Sequence, residues 1–149
     1  MSDIFAALEA LTDRDPDRRD LAAASLGDLL RGTALDADTA RLVVGRLVSL
    51  TVNEPITRVR ESALNAVSES FNRHRLPLDL VKPLAAAMPT MEPEILGHAI
   101  YFLGATHAPT ALPLMEPFLN HPDQEVSEGA RLAAAEITAT NPEDTIRNS

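Results

Sequence analysis

Apolar residues recur along this chain at spacings of three and four, the period of a helix with one buried face. Ile4, Phe5, Leu8 and Leu11 form one expected buried stripe, Leu42, Val43, Leu47 and Leu50 a second, and Val59, Ala63, Ala66 and Val67 a third. Polar turns separate the blocks, and four of them share a proline: Asp15-Pro16-Asp17, Glu54-Pro55-Ile56, Glu92-Pro93-Glu94 and His121-Pro122-Asp123. Counted from each proline, the eighth residue is Ala24, Ala63, Tyr101 or Ala130 and the eleventh is Gly27, Ala66, Gly104 or Ala133. All but Tyr101 are small, and small residues one turn apart let helices approach closely. The prolines are spaced by 39, 38 and 29 residues, a repeat period typical of stacked helical pairs.

The pattern predicts an all-α fold: a short right-handed α-solenoid of about four helical pairs, about eight helices in all. The expected helices cover residues 3–11, 16 to the closing Gly32, a segment capped by Asp36, 55–74, 77–88, a segment from Pro93, 109–119, and a segment from Pro122. Asp15 is placed to cap, Pro16 to occupy the first helical position and Asp17 to face the positive end of the dipole. Pro83, Pro113 and Pro117 fall inside expected helices and predict kinks. Residues 1–140 read as one domain with repeats near 1–32, 33–75, 76–107 and 108–140, followed by a fraying tail at 141–149.

Composition agrees: 45% hydrophobic but only 3% aromatic, with Ala and Leu dominant. The absence of cysteine excludes disulfides, thiolate catalysis and cysteine-ligated metal sites. Met1-Ser2-Asp3-Ile4-Phe5 lacks the basic and apolar regions of a secretory leader, so a cytoplasmic location is expected. Residues 95–115 carry no Asp, Glu, Lys or Arg, but Gly97, Gly104, Pro109 and Pro113 divide them into two buried helices rather than a membrane span. The net charge of −9 is unevenly placed. Residues 91–149 hold nine acids and two bases, a surface expected to repel phosphate backbones and lipid headgroups and to attract basic proteins.

Two turns carry a family resemblance. His121-Pro122-Asp123-Gln124-Glu125-Val126 with Ala130 and Ala133, and Glu54-Pro55 with Val59-Arg60, Ala63 and Ala66, resemble the second-helix signature of HEAT-like repeats in bacterial proteins. Repeats one and three depart from it, with Asp20 and Gly97 in the valine column and Leu21 and His98 in the arginine column. The resemblance implies an architecture and no particular activity. Hydroxylases of HEAT-like type bind iron through His-Glu dipeptides, and none occurs here.

No motif supports catalysis. His74, His98, His107 and His121 share no metal-binding helical spacing, and no metal or cofactor is expected. Asp13, Asp15 and Asp17 open like a calcium loop, but Arg18 stands where glycine is required and Ala24 where the twelfth-position acid belongs. Arg58, Arg60, Arg73, His74 and Arg75 form the one basic concentration, the basis of an alternative reading as a HEAT-like DNA-repair glycosylase or nucleic-acid binder. Nucleic acid is disfavoured by the overall charge and by a chain with no Trp and one Tyr.

The favoured expectation is a non-catalytic module binding another, basic protein on its concave, largely acidic face. A bacterial immunity or antitoxin-like protein is its sharper form, and a scaffold subunit of a larger complex is a further alternative. Second helices line the concave side of such solenoids. The expected contacts are therefore Arg58, Glu61 and Asn65, then His98 and Phe102, then Glu125, Glu128 and Arg131. Phe102 is expected as an exposed aromatic ringed by charge, the usual form of an interaction hot spot.

Overall fold

The computed structural model describes residues 2–32 and 35–141, and among them the fold is all-α, with eight α-helices, three short 3-10 turns and no strand. The helices fall into two compact units, divided between Leu76 and Pro77, one residue from the expected boundary between the second and third pairs.

The first unit contains α1 (Ser2–Ala10), α2 (Pro16–Arg31), α3 (Ala37–Asn53) and α4 (Thr57–Phe71). Asp15 caps α2 by accepting from the Asp17 N–H, with Pro16 at the first helical position, and Asp36 caps α3 by accepting from the Thr39 N–H. Helix α2 packs chiefly on α4, with α3 also against α4 and α1 against α2. The tightest approach is at Gly27, where an added Cβ would lie 3.2 Å from both the Cα and Cβ of Ala66. Two stripes are corrected. Phe5 is 67% exposed and Leu42 49% exposed. Each stands two positions, about 200° of helix rotation, before a buried residue, Ala7 or Val44, and so lies on the opposite side of its helix. Ala7 and Leu11 are the buried residues of the α1 region, and Ala40, Val43, Val44, Leu47, Val48 and Thr51 are those of α3.

The second unit contains α5 (Leu78–Ala87), continued by a 3-10 turn at Met88–Thr90, α6 (Pro93–Ala105), α7 (Leu112–Met115) between 3-10 turns at Pro109–Ala111 and Glu116–Phe118, and α8 (Gln124–Thr140). Helix α5 runs on through Pro83, whereas the helix expected over 109–119 is broken into short pieces. Pro109, Pro113 and Pro117 recur every four residues, so successive turns lose a backbone donor and meet a ring clash. Helices α6 and α8 form the main pairing, with α5 against α6 and α7 against α8. Gly104 meets Ala133 as Gly27 meets Ala66, and more closely: a Cβ there would lie 2.7 Å from the Ala133 Cβ. The eleventh column is thus the seam between the second helices of each unit. The eighth column is not: Ala63 and Ala130 are buried, but Ala24 and Tyr101 are exposed.

Prolines begin α2 and α6 but precede α4 and α8 by two residues. In α8 the cap is Asp123, which accepts from the Glu125 and Val126 N–H groups, so the helix starts one position after it. Beyond Asn141 the expected fraying tail lies outside the described residues. No described helix is long and apolar enough to cross a membrane.

Candidate partner-binding grooves

Each pair of second helices leaves a groove above its small-residue seam. In the first unit the groove between α2 and α4 is about 180 Å³ and polar, lined by Ala24, Gly27, Asp28, Arg31, Ser62, Asn65, Ala66 and Glu69. Its charges are paired: Arg31 lies 3.4 Å from both Asp28 and Glu69. At its N-terminal end the Ser62 hydroxyl donates to Asp20, and Arg58 reaches Asp17 at 2.5 Å and Asp20 at 3.3 Å. The hydrogen bond to Asp17 is the main reason the Arg58 guanidinium holds its proton more tightly than usual.

A further ion pair of this unit, unlike these, is largely buried. Arg19 donates from Nε to both Glu54 oxygens at 2.9 and 3.1 Å and from Nη2 to Oε1 at 2.6 Å, while Nη1 donates to the carbonyls of Asp13 and Arg14. The Glu54 side chain is 2% exposed and that of Arg19 14%. All three guanidinium nitrogens donate within the fold and both Glu54 oxygens accept from Arg19, so this pair is a clamp between α2 and the turn before α4.

In the second unit the groove between α6 and α8 is about 290 Å³ and apolar, lined by Gly97, Ile100, Tyr101, Gly129, Leu132, Ala133 and Glu136. Tyr101 is 52% exposed and Leu132 73% exposed, so both walls stand in water. A Cβ built at Gly97 or Gly129 would meet nothing within 4 Å. Glu136 closes one end, its carboxylate 3.0 Å from His107 Nε2. At the other end helical register puts Glu94 one turn before Gly97 and Glu125 one turn before Gly129, both exposed.

The expected contact residues are only partly surface groups. Phe102 is a correction: it is fully buried, against Tyr101 with ring centroids 5.9 Å apart. The neighbouring tyrosine takes the outward position because its hydroxyl gains from water, whereas phenylalanine gains only from burial. His98 is half-buried, its ring 6.3 Å from Phe102. Asn65 lines the first-unit groove, Arg58 is held by Asp17 and Asp20, and Glu61 is half-buried. Glu125, Glu128 and Arg131 are exposed on α8. The groove-forming Tyr101, Leu132, Gly97 and Gly129 were not among the expected contacts. Their signal lay in the repeat columns, where Leu132 aligns with Asn65 and the two glycines with Asp20 and Ser62.

The geometry defines an all-α protein built from paired helices. No family model matches the chain, and a search of curated proteins finds no match. Among solved structures it is similar to two crystal structures of engineered proteins, each with a TM-score of 0.64 at 19% identity over 93% of this chain. The chain spans 63% of the length of one and 38% of the other, and at that identity the likeness bears on the fold alone.

Proposed function

We propose that the chain is a non-catalytic protein-binding module of HEAT-like repeats whose second unit docks a basic partner protein. The observation that supports this is the state of the charges. In the first unit Arg18, Arg19, Arg31 and Arg58 each lie against a carboxylate. From residue 77 to 141 the bases are Lys82 and Arg131, against Asp79, Glu92, Glu94, Glu116, Asp123, Glu125, Glu128 and Glu136. Such an excess steers a basic partner and repels nucleic acid. The nucleic-acid reading loses a member of its basic cluster, since Arg58 is engaged by Asp17 and Asp20. A toxin-neutralising role, covering the basic cleft of one cognate protein, is the narrowest form of the proposal.

The test is affinity capture at low and high salt with the wild type and with Glu125→Lys/Glu128→Lys. A basic protein retained at about 50 mM salt, lost at about 500 mM and lost in the charge-reversed variant supports the proposal, because exposed charge pairs are screened over a few ångströms at high ionic strength. Retention of nucleic acid that depends on Arg73 and Arg75 overturns it.

A further inference from the structure

We infer that the α6–α8 groove is a receptor for a large apolar side chain displayed between lysines or arginines on a partner segment, and that this gives the second unit its specificity. The inference rests on the proposed basic partner and adds the apolar contact. Three observations converge. The groove floor is open at Gly97 and Gly129, where a built Cβ would meet nothing within 4 Å beyond its chain neighbours and its own helix backbone. Its walls, Tyr101 and Leu132, are among the few large apolar side chains left exposed in the described structure. Its ends carry carboxylates, Glu94 and Glu125 at one and Glu136 at the other.

The occupant follows from charge. An acidic rim around an apolar slot favours a cationic segment and opposes a second copy of this chain, which would bring the same carboxylates against themselves. A volume of about 290 Å³ accommodates one leucine- or phenylalanine-sized side chain rather than a whole helix face. An aromatic and an aliphatic wall that a partner side chain would desolvate, with charge at the rim, is the anatomy of a binding hot spot.

The chain supplies its own reporter, because Tyr101 is its one tyrosine and it has no tryptophan. Intrinsic fluorescence therefore reads one wall of the groove. Three capped helical peptides without Tyr or Trp serve as probes: a lysine–leucine peptide, a lysine–alanine peptide of equal charge, and a glutamate–leucine peptide. The lysine–leucine peptide should alter Tyr101 emission and bind at least about tenfold more tightly than the lysine–alanine peptide, the effect of burying one large apolar side chain. The glutamate–leucine peptide should not bind. Gly129→Leu and Gly97→Ala fill the floor from positions that touch nothing, so each should fold with an unchanged circular dichroism spectrum and lose that tenfold preference.

Equal binding of the two lysine peptides, or a preference that survives both floor-filling variants, overturns the groove and leaves the basic-partner proposal standing. Binding of the glutamate–leucine peptide as strong as that of lysine–leucine overturns the role of the rim and with it the inference. Failure of both lysine peptides overturns inference and proposal together. A dimer in sedimentation that disappears on Leu132→Ser shows a second copy in the groove and overturns the assigned occupant.

Discussion

Four residues after its proline, α2 carries Asp20, and seven residues after its own, α4 carries Ser62; the two are hydrogen-bonded. The same positions of α6 and α8 are Gly97 and Gly129, and nothing fills the space. The difference extends along both helices. Asn65 in the first unit corresponds to Leu132, Ala24 to Tyr101, and Arg19 to Leu96, which is 1% exposed. The turn position of Glu54 corresponds to His121, whose Nδ1 accepts from the Asp123 N–H at 3.0 Å. One scaffold thus appears twice with opposite surface chemistry. The first unit spends its polar groups on itself, through Arg19–Glu54, Arg58–Asp17 and Ser62–Asp20. The second keeps a hydrophobic slot facing water, with Glu94 and Glu125 exposed near one end and Glu136, bonded to His107, at the other, an arrangement that points to a partner.

The largest test of that contrast is the clamp. Arg19→Leu installs the second unit's residue but leaves Glu54 charged and buried, and it should lower the unfolding free energy of the first unit by about 3–5 kcal/mol. Adding Glu54→Leu should restore most of the loss, because replacing both partners of a buried pair with apolar groups is often near neutral. Urea unfolding of both variants measures this. A single variant as stable as wild type would mean that the clamp is dispensable and that the units differ less than their interiors suggest.

The seams give the next effect. Gly104→Ala puts a methyl 2.7 Å from the Ala133 Cβ and 3.1 Å from its Cα, and helix backbone cannot yield as a flexible side chain would. A loss of about 1–3 kcal/mol is expected from overpacking, with recovery in Gly104→Ala/Ala133→Gly. Gly27→Ala meets Ala66 at 3.2 Å, a milder contact that the better helix propensity of alanine, about 1 kcal/mol, should largely offset. The two melting curves should therefore diverge, and equal shifts would show that the seams are packed alike.

These seams were legible before any coordinates, because a proline and a small residue eleven positions later are local signals that survive four repetitions. Helix type and most helix boundaries followed from the same periodicity, which read residues 1–140 as one domain and did not mark the division into two compact units between Leu76 and Pro77. What escaped was which side of each helix faces its neighbour. Phe102 and Tyr101 are adjacent and both aromatic, and only the tertiary arrangement decides which is buried. Counting from the proline gave all four helices one register, yet the eighth residue is buried in α4 and α8 and exposed in α2 and α6. The Arg19–Glu54 clamp links residues 35 apart and leaves no periodic trace. The segmented 109–119 region was half visible, since its prolines were noted as kinks, but three at a spacing of four end a helix rather than bend it.

Filling the open floor should work in the opposite sense to filling the seam. Gly97→Ala and Gly129→Ala each replace a helical glycine without a steric partner, so each should raise stability by about 0.5–1 kcal/mol. The wild-type chain forgoes that stability at two positions facing one groove, the pattern expected where a surface is kept open for binding rather than optimised for folding. A null or negative shift in urea midpoint would remove this part of the contrast.

The smallest effect concerns acid. The Thr39 backbone N–H, donating to Asp36, holds that carboxyl below its ordinary value of 3.8. A group whose folded pKa is depressed contributes stability that is complete above its unfolded value and lost as pH falls through the folded one. Asp36 should therefore help the first unit above about pH 4 and progressively less below it. Asp36→Asn keeps an oxygen to accept the cap hydrogen bond and removes the titration. Its acid-unfolding curve should be flatter than that of the wild type below pH 4, with neutral-pH stability little changed. A parallel curve would place the acid sensitivity elsewhere than at this cap.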